Sequence, residues 1–245
     1  MCWFRKHPSW FNQLKIQVDE KYPRLKFFTY KDEILALCGP IDLTTGSDVL
    51  DSYEIEIIFT DHYPSEVPLV RETAERIPRI LDRHIYEKSG FFCLGPRIAV
   101  KEAWMKNPNV ISFLNDPVIS FLANQSYYER TGEWKNGDYA HGKKGIIQYY
   151  RERFNINNEE ELVLVLNSVI EGVKVGRNDP CFCKSGKKAK KCHLNLALEL
   201  QRLGDKNIFI ADLKNLSNNT KTTELQEKQA STVATTITPT EKIVN

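Results

Sequence analysis

Four residues late in the chain, Cys181, Cys183, Cys192 and His193, have the types and spacing to hold a metal ion. Cys181-Phe-Cys183 places two sulfurs on one tight turn, Gly186 lets the chain fold back, and Cys192-His193 adds two more donors. Three thiolates and an imidazole with no position left open make a closed tetrahedral site of the structural kind, and the ion they suit is Zn2+. A disulfide or redox role is the competing reading, but thiols crowded beside a histidine in a reducing compartment read as metal ligands. Cys93 is a candidate of another sort, a nucleophile. Its thiolate would need partial exposure and nearby positive charge, which Arg83, His84, Lys88 and Arg97 could supply from their places in the sequence. Against this, Phe91-Phe92-Cys93-Leu94 also reads as a buried strand with an inert thiol. Cys38, inside an apolar run, reads as a small buried hydrophobe.

The elements that must present Cys93 begin upstream. Residues 10–18 predict a short helix, with Trp10, Phe11, Leu14 and Val18 at helical spacing. Residues 25–30, 34–38 and 53–59 follow as strands, separated by polar turns, and predict an antiparallel meander with one face covered. Pro64 and Pro68 lack a backbone donor and fix φ, so the chain is expected to leave the sheet there and cross it in extended form. Apolar positions 111, 114, 118, 121 and 122 predict a later helix. Pro117 divides it into a turn and a helix proper, because a proline in a helix interior costs about 3 kcal/mol. Residues 146–154 predict a helix whose aromatic face (Tyr149, Tyr150 and Phe154) closes this domain's core. Asn157-Asn158 before three glutamates is a helix start, with Leu162, Val163, Leu166, Val169 and Ile170 as the stripe and Gly172 as the stop. A last helix is expected from Leu194 to Leu203, with Gly204 as its stop.

Read in order, Tyr63-Pro64, Pro68, His84, Cys93-Leu94 and Trp104 resemble the ubiquitin-conjugating enzyme family. There a strand leads into a Tyr-Pro…Pro flap, a histidine-bearing loop, a catalytic Cys-Leu pair and a tryptophan. The resemblance implies an α+β domain, an antiparallel meander sheet packed with helices. It also implies catalysis by Cys93 with His84: an acyl group of a protein C-terminus is carried as a thioester on Cys93 and passed on. The family reads His-Pro-Asn, and its asparagine stabilises the oxyanion; here Ile85 and Tyr86 follow His84. That task would fall to His84, Tyr86, a backbone amide near Cys93, or His141. Each histidine can equally serve only to hold its loop, and Tyr86 can simply pack. The segment Gly132-Glu-Trp134…Gly137…His141-Gly142 resembles one in bacterial relatives of these enzymes. Those relatives imply anti-phage defence operons and, as protein substrate, a cGAS-like nucleotidyltransferase encoded nearby. No ATP-binding glycine loop is present, so activation of the acyl group would come from a separate activating enzyme or be bypassed. The competing function is a non-catalytic adaptor of the same fold that binds protein, RNA or ribosome through the metal module.

Residues 176–193 resemble the SEC-C motif, found at the end of the translocation motor SecA. Six basic residues against one acid make this module a local cationic knob, or else a solvated rim. The whole chain of 245 residues carries a net charge of only +2, which argues against nucleic acid as the main partner. The first residues lack a signal-peptide core and no apolar run is long enough to span a bilayer, so a cytoplasmic protein with no membrane partner is expected. The expected organisation is a conjugating-like domain over 1–155, a helical linker over 156–175, the zinc module over 176–204 and a mostly disordered tail over 205–245. Eight threonines and no aromatic residue lie between 220 and 245, too little apolar surface to offset the entropy of ordering.

Overall fold

In the computed structural model the chain divides into two compact units. The structure describes residues 2–31, 33–135, 140, 142–203, 205–217 and 241–243. The first unit takes residues 1–94, 103–138 and 227–245, and the second takes 95–102 and 139–226.

Two helices open the first unit, α1 (Trp3–Lys6) and α2 (Pro8–Lys21), followed by β1 (Lys26–Tyr30), β2 (Ile34–Thr45), β3 (Asp48–Phe59) and β4 (Leu69–Glu72). With β5 (Glu241–Ile243) they form an antiparallel sheet in the order β4-β3-β2-β1-β5. Side chains alternate along each strand, so register decides which residues share a face. Phe27 pairs with Leu37, Leu37 with Ile57 and Ile57 with Val70, giving an apolar ladder that joins Phe11, Leu14 and Val18 of α2 in the main core. Trp10, expected on that stripe, is half exposed, because the buried face of α2 runs through positions 11, 14 and 18.

The opposite face is covered as well, contrary to the one-sided sheet expected. Ala36 pairs with Ile58 and Ile58 with Leu69, and this second ladder packs with Tyr30, Tyr86 and Phe91. Nor does the chain cross the sheet in extended form at the flap prolines. It turns over residues 60–66, closed by the Tyr63 N–H donating to the Thr60 carbonyl at 3.1 Å, and returns as β4 alongside β3. Further on, α3 (Arg97–Lys106) is followed by the short α4 (Val110–Phe113), capped by Asn109, whose side chain accepts from the Ile111 N–H at 2.7 Å. Asp116 is extended (φ −164°) just before Pro117, and α5 (Ile119–Thr131) starts anew beyond it, the division predicted from the proline.

The second unit is helical: α6 (Gly142–Phe154), α7 (Glu159–Glu171), α8 (Leu194–Arg202) and α9 (Lys206–Ser217). Its core includes Tyr149, Tyr150, Leu162, Val165, Leu166, Val169, Leu200 and Phe209. Helix α6, expected to close the core of a domain ending at 155, packs here. The segment expected as a linker contains α7, and Val165 is fully buried where the predicted stripe had Val163, which is partly buried. Asn158 caps α7 by accepting from the Glu161 N–H at 2.7 Å, and Gly172 (φ 86°) ends it. Residues 206–217, expected as tail, form α9; Gly204 and residues 218–240 lie outside the described residues. Among the described residues no helix is long and apolar enough to cross a membrane.

One buried acid gives this unit a pH signature. Asp212 of α9 accepts from the Tyr150 hydroxyl at 3.0 Å, and burial pushes its carboxyl up to about 7, against the opposing pulls of that bond and of Arg97. The folded state therefore keeps a proton that the unfolded chain releases near pH 4. Stability is full below that value and falls as the pH rises through about 7, by up to about 1.4 kcal/mol per pH unit. Urea unfolding between pH 4 and 8 should show this decline in the wild type and a flatter profile in Asp212→Asn; parallel profiles would refute it.

Candidate functional site

The four predicted ligands converge in the second unit. The Cys181, Cys183 and Cys192 sulfurs and a His193 ring nitrogen all lie within 4.8 Å of one another, a cluster that could hold a metal ion. A tight backbone frame sets them. The Cys181 N–H donates to the Lys187 carbonyl at 2.9 Å, the Ala189 N–H to the Asp179 carbonyl at 2.8 Å, and the Cys192 N–H to the Ala189 carbonyl at 3.0 Å. The fold-back between them passes through Lys184 (φ 61°) and Gly186 (φ 75°), the second at the glycine anticipated for the turn. Cys183 and Cys192 sulfurs stand 3.5 Å apart, and His193 Nδ1 lies 3.7 Å from Cys181 and 3.4 Å from Cys192. Burial acts to raise the Cys183 thiol, but hydrogen bonding with Ser185 brings it down to about 6; burial pushes Cys192 up to about 11.

Two residues that sequence reasoning missed complete this cluster. Phe182 lays its ring beside the imidazole at a centroid distance of 6.0 Å, tilted by 32°. Glu161, from the first turn of α7, sets a carboxylate oxygen 2.8 Å from His193 Nε2. Nothing in the sequence singled it out, since an acid in the first turn of a helix is already explained by the helix dipole.

Cys93 is half-buried in the first unit, on a short extended piece that continues the sheet beyond β4. Phe91 bridges Arg71, the Phe92 N–H donates to the Val70 carbonyl at 2.8 Å, and the Cys93 N–H donates to the His84 carbonyl at 2.7 Å. Alternation then sends Phe92 into the main core, stacked on Phe121 at 4.3 Å, and Phe91 and Cys93 to the other face. His84 sits in the left-handed region (φ 53°) at the end of a single 3-10 turn, with its ring edge-on to Trp134 at 5.6 Å. Trp134 in turn packs on Tyr128 at 4.5 Å.

Of the charges expected around Cys93, Arg83 is committed elsewhere. Arg83 is buried and turned to α5, its Nε donating to Gln125 at 2.8 Å while Gln125 donates back to the Arg83 carbonyl at 2.8 Å. This clamp fixes the turn that carries His84. Arg97 belongs to the second unit, Lys88 is exposed, Tyr86 is a buried member of the second sheet face, and His141 lies outside the described residues. Within the sheet, Glu56 accepts from the Tyr30 hydroxyl and from Arg71 Nε at 2.5 Å, with Cys38 Sγ 3.9 Å away, so Cys38 borders a buried carboxylate instead of a wholly apolar wall. Trp104 ties the flap down by donating from Nε1 to the Pro64 carbonyl at 2.7 Å.

Similarity to known proteins concerns limited stretches of the chain. A UPF0225 protein of Vibrio parahaemolyticus is 48% identical over 50 residues, 20% of this chain and 30% of that protein. The protein translocase subunit SecA of Buchnera aphidicola is 32% identical over 96 residues, 39% of this chain, and that of Koribacter versatilis is 76% identical over 25 residues, 10% of this chain. The chain spans 8% and 2% of those two SecA proteins. No solved structure is significantly similar. Residues 177–195, which carry all four ligand candidates, match the SEC-C motif.

Proposed function

We propose that the chain is a cysteine-dependent protein-conjugating enzyme of the ubiquitin-conjugating type, with a SEC-C module built on structural zinc. For the metal, the donor set and spacing support zinc: bonds of about 2.3 Å to sulfur and about 2.0 Å to nitrogen at tetrahedral angles put donors roughly 3.5 to 3.8 Å apart. The distances of 3.4, 3.5 and 3.7 Å fit. Zinc bound there closes the fold-back and, with four protein ligands, does no chemistry of its own.

The reading of Cys93 rests on one observation above others: the Cys93–His84 backbone bond sets a residue with a half-buried thiol beside a histidine in the left-handed region. In the first step the Cys93 thiolate forms a bond to the carbonyl carbon of an acyl group held as a thioester on a separate activating enzyme, and that enzyme's thiolate leaves. In the second, an amine, thiol or water attacks, the bond to Cys93 breaks, and the attacking group's proton passes to His84 or solvent. The proposed protein substrate is a cGAS-like nucleotidyltransferase of an anti-phage operon, met in a reducing cytoplasm that keeps the thiols unpaired.

An adaptor without catalysis is the second reading, favoured by the packing of Cys93 against the cluster of Tyr30, Tyr86 and Phe91. Incubation with that substrate, the activating enzyme and ATP decides between them on a non-reducing gel. The wild type should give a thiol-labile adduct that Cys93→Ala abolishes. No adduct in the wild type, with the partner bound and functional alongside Cys93→Ala, would leave the adaptor.

A further inference from the structure

We infer that Glu161 is a positioning residue of the metal centre, which makes α7 part of the zinc site although α7 lies outside the SEC-C motif. The inference rests on the zinc reading of the four ligands. A neutral imidazole has one N–H and one lone pair, and whichever nitrogen donates a hydrogen bond leaves the other to the metal. His193 Nδ1 faces the sulfurs at 3.4 and 3.7 Å, while Nε2 points away to Glu161 Oε1 at 2.8 Å. A carboxylate at Nε2 therefore selects the tautomer with its lone pair on Nδ1 and holds the ring plane.

Both ends of this contact are fixed from elsewhere. Glu161 sits at the third position of α7, its own N–H taken by the Asn158 cap at 2.7 Å, so its side chain leaves a rigid helix start. His193 is the residue just before α8, its carbonyl accepting from the Ala197 N–H at 2.9 Å, and Phe182 flanks its ring. The side chains of His193 and Glu161 are only 15% and 27% exposed, which limits competition from water. The bond thus fastens the metal knot to the helices whose residues Leu162, Val165, Ala197 and Leu200 form the core of this unit.

The test uses full-length zinc-loaded protein. Zinc release to excess chelator should be about tenfold faster or more in Glu161→Ala, as expected for loss of an outer-shell carboxylate, and intermediate in Glu161→Gln, whose amide oxygen still accepts. Glu160→Ala, an exposed acid of the same turn, should release zinc at the wild-type rate. Imidazole 15N signals should show His193 protonated on Nε2 and metal-bound through Nδ1 in the wild type, and this pattern should blur in Glu161→Ala. A contribution to helix stability alone would lower the melting temperature and leave these signals intact. Failure of Glu161→Ala to retain zinc through purification counts as fast release. Release within twofold of wild type, or a His193 bound through Nε2, overturns the inference. Wild-type protein free of zinc overturns instead the metal reading beneath it.

Discussion

Cys181→Ser is expected to strip the metal from the protein and unfold the module around it. Cys181 is the buried member of the cluster, 3% exposed, and its N–H already closes the fold-back onto Lys187. Within residues 176–193 only Cys181 and Ala189 are buried, so this segment has almost no apolar core with which to hold itself together. Metal binding of the order of 10–16 kcal/mol is what such small knots use in place of a core, and a hydroxyl cannot stand in for a thiolate ligand. Metal analysis should therefore fall from stoichiometric to trace in Cys181→Ser and Cys192→Ser. Because Leu194, Ala197 and Leu200 of α8 are buried next to the knot in sequence, the urea midpoint of this unit should fall too. Cys38→Ser, in the first unit, is the control that should keep its metal. Unchanged stoichiometry in Cys181→Ser would rule out the site.

Glu56→Ala should cost about 3–5 kcal/mol, the range for removing one partner of a buried ion pair. Glu56 is 2% exposed and answers two groups at once, the Tyr30 hydroxyl and Arg71 Nε at 2.5 Å. Burial, reinforced by the Glu56 carboxylate, pushes the Tyr30 phenol far above its ordinary value, so it stays a donor and needs an acceptor. Without Glu56, Arg71 would keep a charge whose side chain is only 22% exposed, over the Phe91 ring at 5.6 Å. The loss would be felt at the Cys93 loop, because Arg71 and Phe91 are bridged through the backbone. Glu56→Gln, which can still accept, should cost less. Urea unfolding measures both variants; a loss under about 1 kcal/mol for Glu56→Ala would mean that water replaces the carboxylate.

Residue spacing was a sound guide where structure is local. The capped start of α7, its glycine stop and the break at Pro117 each depend on groups a turn or less apart. It misled at Trp10, because helical spacing admits several faces and only contact with the sheet chooses the buried one. It misled again at Arg83, whose nearness to Cys93 in sequence suggested a charge for the thiol while Gln125, far along the chain, claims it.

The sequence alone determined the metal cluster, since its four ligands sit within a single fold-back and a turn glycine with local hydrogen bonds suffices to gather them. It also determined the strand order of the meander, because short polar turns leave successive strands few alternatives to pairing. Only the tertiary structure decided that Glu161 reaches His193, that Glu56 pairs with Arg71 where Arg71 bridges Phe91, and that α6 and α7 share a core with the metal module. Each of these joins residues distant along the chain through strand register or helix packing, and nothing in the spacing of nearby residues encodes such a meeting.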